Sequence, residues 1–303
     1  MPMASANAWL DRIVVGIDGS EASKRAAQLA AREASLRKAG LTLVSAILPP
    51  LAPAGFGPGL PVSLDALEET RKATHQQLTE LASTLGATDV QCHVQIGSPS
   101  GVLLEASETA LMIVIGSRGL GGFRGLMLGS VSTQVAAHAD CPVLVVRDGG
   151  APTSPRIVLG IDGSDAAQDA AAFAFETASL HGWSITAIHA WDVPSYDLLL
   201  VPNAPIPVPM TETIDDETRL ASELMAGHRA DYPDVEVDIQ IVRQGPAKAL
   251  LEAGAGASMI VVGTRGHGQV MGALLGSVSS AVLHKATVPV AVIPHLPGPD
   301  EAA

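Results

Sequence analysis

Residues 111–130, LMIVIGSRGLGGFRGLMLGS, join an apolar run to a glycine-rich segment that ends in Gly-Ser. The run LMIVI has the length and the unbroken hydrophobicity of a buried parallel strand. Nearly the same skeleton returns at residues 258–277, SMIVVGTRGHGQVMGALLGS. The two stretches share the pattern Gly-x-x-Gly-x9-Gly-Ser. This pattern therefore marks one structural feature that the chain carries twice.

The repetition extends over most of the chain. IVVGIDGS at 13–20 returns as IVLGIDGS at 157–164, and SPSGVLLEA at 98–106 aligns with GPAKALLEA at 245–253. The period of roughly 147 residues is too long for a solenoid, so it indicates a duplicated domain. We predict two tandem domains, covering residues 1–150 and 151–303.

Within each copy, apolar runs alternate with helical patterns, which is typical of an α/β fold with parallel strands and right-handed crossovers. Each domain is predicted to be an open five-stranded parallel sheet, in the order 3-2-1-4-5, with helices on both faces. This order places strands 1 and 4 side by side, at the point where ligands bind in such sheets. Asp18 and Asp162, at the ends of the two first strands, are then expected to face the glycine segments.

Composition and charge narrow the class of protein. The chain has 303 residues, a net charge of −13 and only 3% aromatic residues. The first half carries 11 basic and 13 acidic residues, and the second carries 7 and 18. Because neither half is basic, a nucleic-acid partner is not expected. No apolar stretch reaches the roughly 18 residues of a membrane span, so we predict a cytoplasmic protein without membrane contact.

Metal or redox chemistry has little support in the sequence. The two cysteines, Cys92 and Cys141, form no Cys-x-x-Cys pair, and no two histidines stand at i and i+4. No resident metal site is predicted, apart from Mg²⁺ that would arrive with a bound nucleotide.

The glycine segment fits neither of the common phosphate motifs. It has no lysine before its serine, as a P-loop requires, and Arg124 stands where a dinucleotide fingerprint needs its last glycine. An anion site still has a physical basis. Gly116 and Gly119 are interpreted as residues that turn the chain sharply and leave N–H groups open, and Gly129 as a point of close approach to a ligand. Ser130 begins a helix whose positive end favours phosphate.

Structural interpretations of the same residues remain open at this stage. Ser130 and Ser277 are compatible with plain N-caps, and a cap does not exclude a role in phosphate binding. Gly116 and Gly119 are compatible with turn glycines that contact no ligand. The recurrence of the whole spacing beside a matched aspartate favours a ligand.

These motifs make the chain resemble the universal stress protein family, and in particular its tandem, ATP-binding members. The resemblance covers about residues 10–147 and 155–294, and it implies ATP in each crevice. Asp18 would contact the ribose and adenine, and the Gly-Ser end of the segment would hold the phosphates. In the first copy the implied ATP-binding residues are Gly16, Ile17, Asp18, Ala46, Ile115, Gly116, Arg118, Gly119, Gly129, Ser130, Val131 and Ser132. In the second copy they are Gly160, Ile161, Asp162, Ala190, Val262, Gly263, Arg265, Gly266, Gly276, Ser277, Val278 and Ser279.

The resemblance implies a nucleotide-responsive regulator of stress response or growth, with about two ATP per chain. A slow ATPase or autophosphorylating enzyme that uses the same sites is the alternative. A third hypothesis, a dimeric scaffold with vestigial sites, is disfavoured by the intact pattern in both copies. A homodimer and an unidentified regulatory protein partner are also expected. The proline-rich segments 49–62 and 192–210 are interpreted either as lids or contact surfaces, or as tolerated insertions.

Overall fold

The apolar runs of both copies form strands in a computed structural model of the chain. The structure describes residues 9–48, 64–120, 128–149, 152–190, 210–264, 266 and 275–295. The chain divides into two compact units, Met1–Asp148 and Gly149–Ala303. Each unit is described separately below.

The first unit alternates strands and helices from its beginning to its end. Its parallel strands pair in the order β3-β2-β1-β4-β5. The elements are β1 (Arg12–Gly16), α1 (Glu21–Arg37), β2 (Gly40–Ile47), α2 (Leu64–Thr84), β3 (Val90–Ile96), α3 (Pro99–Ser107), β4 (Met112–Gly116), α4 (Ser130–His138) and β5 (Val143–Val146).

The second unit repeats this plan. Its parallel strands pair in the order β8-β7-β6-β9-β10, which is the same arrangement counted from the first strand of the copy. The elements are β6 (Ser154–Ile161), α5 (Asp165–His181), β7 (Ser184–Ala190), α6 (Met210–Asp231), β8 (Val237–Val242), α7 (Pro246–Ala253), β9 (Ala257–Gly263), α8 (Ser277–Lys285) and β10 (Val290–Ile293).

The predicted α/β class, with a parallel sheet and helices on both faces, is confirmed. The core lies where the aliphatic strands predict it. Ile13, Val14 and Val15 of β1 have no exposed surface, and neither does Leu159 of β6. Since these strands are covered on both faces, they are apolar throughout rather than alternating.

Helix α1 shows how the small residues of this chain are used. Its buried positions are mostly alanines, including Ala26, Ala27 and Ala30, which have no exposed surface. The helix packs on β1 and β4. Alanine side chains let the helix backbone approach the sheet closely, and this closeness has consequences for the glycines at the end of β4.

Two predicted features fall partly or wholly outside the described residues. Segment 49–62 lies entirely outside them, and segment 192–210 does so except for Met210, which begins helix α6. Among the residues that the structure describes, no helix combines the length and the apolar character needed to cross a membrane.

Candidate functional site

The first wall of the candidate site is the turn that follows β1. Gly19 has a φ of +87°, a conformation that favours glycine over any other residue. The Ser20 side chain caps helix α1 by accepting a hydrogen bond from the N–H of Ser23, at 3.2 Å. One oxygen of Asp18 accepts a hydrogen bond from the N–H of Ser20, at 3.0 Å. The sequence Asp-Gly-Ser therefore forms a fixed corner that holds the carboxylate at the strand end.

The second wall is the glycine segment after β4, and it meets this corner directly. The other carboxylate oxygen of Asp18 accepts a hydrogen bond from the N–H of Leu120, at 2.9 Å, across 102 residues of sequence. Burial alone would raise the pKa of Asp18, but hydrogen bonds from Ser20, Leu120 and Ser23 outweigh burial and lower it. The carboxylate is thus ionised at neutral pH and faces the glycine segment, as the strand order predicts.

The glycines at the start of this segment are explained by close packing. Neither Gly116 nor Gly119 has a φ in the left-handed region, so backbone conformation alone does not require glycine at either position. A Cβ on Gly116 would lie 2.8 Å from the carbonyl carbon of Ala22 in α1. A Cβ on Gly119 would overlap the carboxylate of Asp18. These positions need glycine because another part of the chain already occupies the space.

The third wall is the beginning of helix α4. The cap residue is Gly129, with φ −82° and ψ 156°, and no side chain caps the helix. The interpretation of Ser130 as a plain N-cap was therefore wrong, because Ser130 is the first helical residue. The N–H of Gly129 donates to the carbonyl of Ser117 at 2.8 Å, which brings the helix start back to the end of β4. The first-turn N–H groups of an α-helix have no partner within the helix, so they can bind an anion.

Ser132 fastens this helix to the strand. Its hydroxyl donates to the carbonyl of Gly116 at 2.8 Å, and the residue is 4% exposed. In the second unit the hydroxyl of Ser279 donates to Gly263 at 2.5 Å in the same way. The hydroxyl is engaged in the protein, so the contribution that Ser132 can make to a ligand is its backbone N–H.

The three walls enclose a cavity of about 610 Å³, a size typical of small-molecule sites. All twelve residues predicted for the first copy line this cavity: Gly16, Ile17, Asp18, Ala46, Ile115, Gly116, Arg118, Gly119, Gly129, Ser130, Val131 and Ser132.

Sequence reasoning missed most of the apolar lining. The additional residues are Ser23, Val44, Leu48, Pro99, Val102, Leu103, Leu120 and Leu128. A signal for some of them was present. Val44, Ala46 and Leu48 alternate along and just beyond β2, and a period of two places them on the same face as the predicted Ala46. Pro99, Val102 and Leu103 have the spacing of one side of a helix.

The position of the Arg118 side chain could not be predicted from the sequence either. Its guanidinium forms an ion pair with Asp148, which follows β5, and Arg25 of α1 pairs with the same carboxylate. Residue 118 lines the cavity nonetheless. Asp148 and Arg25 therefore belong to the surroundings of the site.

The second unit builds the same corner with different hydrogen bonds. Gly163 has a φ of +79°. Asp162 accepts hydrogen bonds from both the N–H and the hydroxyl of Ser164, at 3.1 and 2.6 Å. A Cβ on Gly266 would overlap the Asp162 carboxylate, so the aspartate again lies against the glycine segment.

The glycines of the second unit repeat the first in detail. A Cβ on Gly263 would lie 2.8 Å from the carbonyl oxygen of Ala166, the counterpart of Ala22. Gly276 caps α8 with no side-chain hydrogen bond, and Ser277 is the first helical residue, so its interpretation as an N-cap was also wrong. The N–H of Gly276 donates to Thr264 at 2.7 Å.

The other predicted residues of the second copy lie at the same edge of the sheet. Gly160 and Ile161 end β6, Ala190 ends β7, and Val262 precedes Gly263 at the end of β9. Val278 follows Ser277 in the first turn of α8. Arg265 falls outside the described residues. The first unit thus gathers its predicted residues around one cavity, and the second places its own at matching positions.

The fold and this crevice define a doubly wound α/β protein with a ligand-sized site at the switch point of its sheet. The sequence model of the Universal stress protein family matches residues 10–147 and 154–294, and the chain belongs to that family.

Similar proteins cover nearly the whole chain. A universal stress protein of Mycolicibacterium smegmatis is 39% identical over 288 residues, which span 93% of this chain and 96% of the relative. The crystal structure of a universal stress protein from Archaeoglobus fulgidus has a TM-score of 0.66 at 22% identity. It covers 94% of this chain and 98% of its own, and it shows the shared fold. A shorter universal stress protein, solved in complex with cAMP, is 29% identical and covers 46% of this chain and 98% of its own, with a TM-score of 0.36.

Proposed function

We propose that the protein binds ATP in the crevice of each unit, about two per chain, and that occupancy regulates a response to stress or growth conditions. The observation that carries this proposal is the cavity of about 610 Å³ in the first unit. It brings an apolar pocket, an ionised carboxylate and an uncapped helix N-terminus around one space. These groups match the base, the ribose and the phosphates of a nucleotide in turn.

The apolar side of the cavity suits a nucleobase. Aliphatic residues such as Val44, Leu103 and Ile115 line it, so adenine would be held by dispersion contacts rather than by aromatic stacking. Gly16 and Ile17 add backbone and apolar contacts in this region. The counterparts in the second unit are Gly160, Ile161 and Ala190.

The carboxylate suits the ribose. An ionised Asp18 is a pure hydrogen-bond acceptor with more than one lone pair on each oxygen, so it can accept from ribose hydroxyls while it keeps its backbone partners. Asp162 is proposed to do the same in the second unit.

The start of α4 suits the phosphates. The N–H groups of Ser130, Val131 and Ser132 stand in its first turn, where no side chain caps them. Arg118 lines the cavity beside Gly129, the cap of this helix, and Gly119 lies between Arg118 and the Asp18 carboxylate, so both are proposed to run along the ribose and phosphates. In the second unit we propose this role for Gly276, Ser277, Val278 and Ser279, together with Arg265 and Gly266.

A regulator fits this lining better than a fast ATPase. Among the described residues that line the first cavity, Asp18 is the only carboxylate, and its position is assigned to the ribose end. Asp148 lies nearby, but both its oxygens are engaged by arginines. Hydrolysis is normally assisted by a carboxylate or amide that orients water at the phosphate end. Mg²⁺ is proposed only as a companion of the bound ATP.

Titration calorimetry on the full chain tests the proposal, supported by mass spectrometry of the gently purified protein. We expect about two ATP bound per 31.0 kDa chain. Absence of any ATP or ADP uptake would overturn the proposal. Phosphate release followed over hours separates the regulator from the slow enzyme, since sustained turnover would favour the latter.

The assembly and setting of the protein are further parts of the proposal. We propose a cytoplasmic homodimer that presents a nucleotide-dependent surface to a protein partner. Light scattering at micromolar concentration, with and without ATP, should give twice the chain mass. A mass of one chain under both conditions would refute the dimer.

A further inference from the structure

The inference concerns the carboxylate that follows β5. Both oxygens of Asp148 are engaged by arginines: Oδ1 by Nη2 of Arg25, and Oδ2 by Nη2 of Arg118. The side chains of the two arginines are 44% and 46% exposed, and that of Asp148 is 32% exposed. The group is therefore a partly solvated ion-pair cluster and not a buried one.

The cluster borders the phosphate end of the first cavity. Residue 118 lines the cavity beside Gly129 and Ser130. The Cα of Arg118 lies 3.8 Å from where a Cβ on Gly129 would stand. A guanidinium on a long, flexible side chain can therefore reach either Asp148 or a phosphate at the start of α4.

The charges of the cluster favour an anion. Burial would raise the pKa of Asp148, but Arg118 and Arg25 outweigh burial and lower it, so the carboxylate is ionised at neutral pH. Burial and the nearby positive charge of Arg118 lower the pKa of Arg147, which places a third arginine in the field of the cluster. Arg25 and Arg118 thus share one carboxylate, so the two arginines carry one more positive charge than Asp148 balances.

The strengths of the competing contacts indicate which one wins. A partly exposed ion pair changes an equilibrium constant by roughly a factor of five or less. Bidentate arginine–phosphate contacts are among the stronger charge-assisted hydrogen bonds. A phosphate at the helix N-terminus can therefore draw Arg118 away from Asp148, at a modest cost in affinity.

We propose that Asp148 competes with phosphate for Arg118. It holds Arg118 when the crevice is empty and thereby lowers the affinity of the first site for phosphate-bearing ligands. This inference rests on the proposed function, and it adds a positioning residue that sets the response of the site to phosphate. Arg25 moderates the competition, because it shares the carboxylate with Arg118.

The second unit carries the reverse pair at the matching places. Asp169 of α5 corresponds to Arg25, and His295 corresponds to Asp148; they lie 2.8 Å apart. The residue after the last strand is thus an imidazole instead of a carboxylate. The inference is therefore drawn for the first site, where Asp148 and Arg118 are both described.

Calorimetry with ATP and adenosine tests the inference on the full chain carrying Ala190→Phe, which is expected to leave only the first site open. Asp148→Asn should tighten ATP about 3- to 5-fold and leave adenosine unchanged. Arg25→Gln should weaken ATP about 3-fold, because Asp148 then holds Arg118 alone. Arg32→Gln, an exposed charge elsewhere on α1, is the matched control and should change ATP affinity by less than 2-fold.

A double-mutant cycle separates competition for Arg118 from a general effect of charge. In an Arg118→Gln background, Asp148→Asn should no longer tighten ATP. Equal tightening with and without Arg118 would overturn the inference, as would unchanged or weaker ATP binding in Asp148→Asn, or a parallel change for adenosine. If the unsubstituted chain takes up no nucleotide, the proposed function itself fails. If it binds ATP and the cycle fails, only the role of Asp148 is lost.

Discussion

The two units use one backbone plan and differ in the side chains around it. Both have an aspartate at the first strand end, a glycine with positive φ after it, and a glycine that caps an otherwise uncapped helix. Arg25 and Asp148 of the first unit are replaced by Asp169 and His295 in the second. The acidic side chain therefore follows the last strand in the first unit and lies on the helix in the second.

The lining of the crevice differs as well. Ser23 and Val102 line the first cavity, and the corresponding residues of the second copy are Ala167 and Ala249. The comparison shows that the two units share the backbone around the proposed site and differ in side chains that are not part of the repeated motif. The predictions that follow test where the two units behave alike and where they diverge.

Filling the part of the cavity that is proposed to hold adenine should have the largest effect on ATP binding. Ala46→Phe adds a ring at a position that lines the cavity, and Ala190→Phe does so at the matching end of β7. Each change should lower the calorimetric stoichiometry from about two ATP to about one. Ala73→Phe, on an exposed position of α2, serves as the control and should leave two. If either cavity variant still bound two ATP, its crevice would not be the site.

Removing an aspartate charge should have the next largest effect. Asp18→Asn and Asp162→Asn each keep the size of the side chain and lose a charged acceptor, which is worth about 1.5–3 kcal/mol in such hydrogen bonds. One of the two sites should weaken by about 10-fold or more in each variant, as calorimetry would show. Asp65→Asn, exposed on α2, should bind as the unsubstituted chain does. Equal weakening of both sites by one substitution would argue against two independent crevices.

The glycines offer a test in which the units should agree. Gly116→Ala and Gly263→Ala place a methyl group against the backbone of Ala22 and Ala166, and such overpacking costs about 1–3 kcal/mol. Chemical denaturation should show this loss for both. Gly129→Ala is the matched control, because its Cβ would find ordinary contacts at 3.5 Å or more. A fully stable Gly116→Ala protein would refute the packing role assigned to this glycine.

The smallest effect is expected when Asp148 is replaced and the free energy of unfolding is measured. The folded-state pKa of this carboxyl is lowered below its ordinary value of 3.8, so the ionised form stabilises the fold. That contribution is fully present above pH 3.8 and is lost as the pH falls through the lower, folded-state pKa. Asp148→Asn should therefore reduce the free energy of unfolding by about 1 kcal/mol or less at pH 7.

The difference between Asp148→Asn and the unsubstituted chain should shrink in acid, as denaturation at pH 7 and near pH 3 would show. A difference that did not depend on pH would mean that the carboxylate charge has no part in it.

Much of the first crevice could be predicted from the sequence because its residues stand close to strand ends. Alternating strands and helices restrict the chain to a few topologies, and the observed strand order brings Asp18 within 2.9 Å of the N–H of Leu120. The twelve residues predicted for the first copy line one cavity for the same reason. Their role in binding ATP stays a prediction.

The structural role of each individual residue could not be predicted equally well from the sequence. Gly116 was interpreted as a turn residue, but it is glycine because helix α1 packs against it. The sequence is compatible with Ser130 as the N-cap of α4, but the N-cap is Gly129. Local sequence is compatible with both interpretations in each case, since only the position of a distant element or the exact start of the helix distinguishes them.

The sequence by itself determined the duplication, the parallel α/β architecture and the edge of the sheet at which a ligand would bind. These follow from periodicity and connectivity, which are properties of the chain order. Only the tertiary structure decided that Arg118 pairs with Asp148 and Arg25, and that residues of α3 complete the apolar wall of the cavity. Such contacts depend on where long side chains end and on how closely elements approach, and neither is encoded in local pattern.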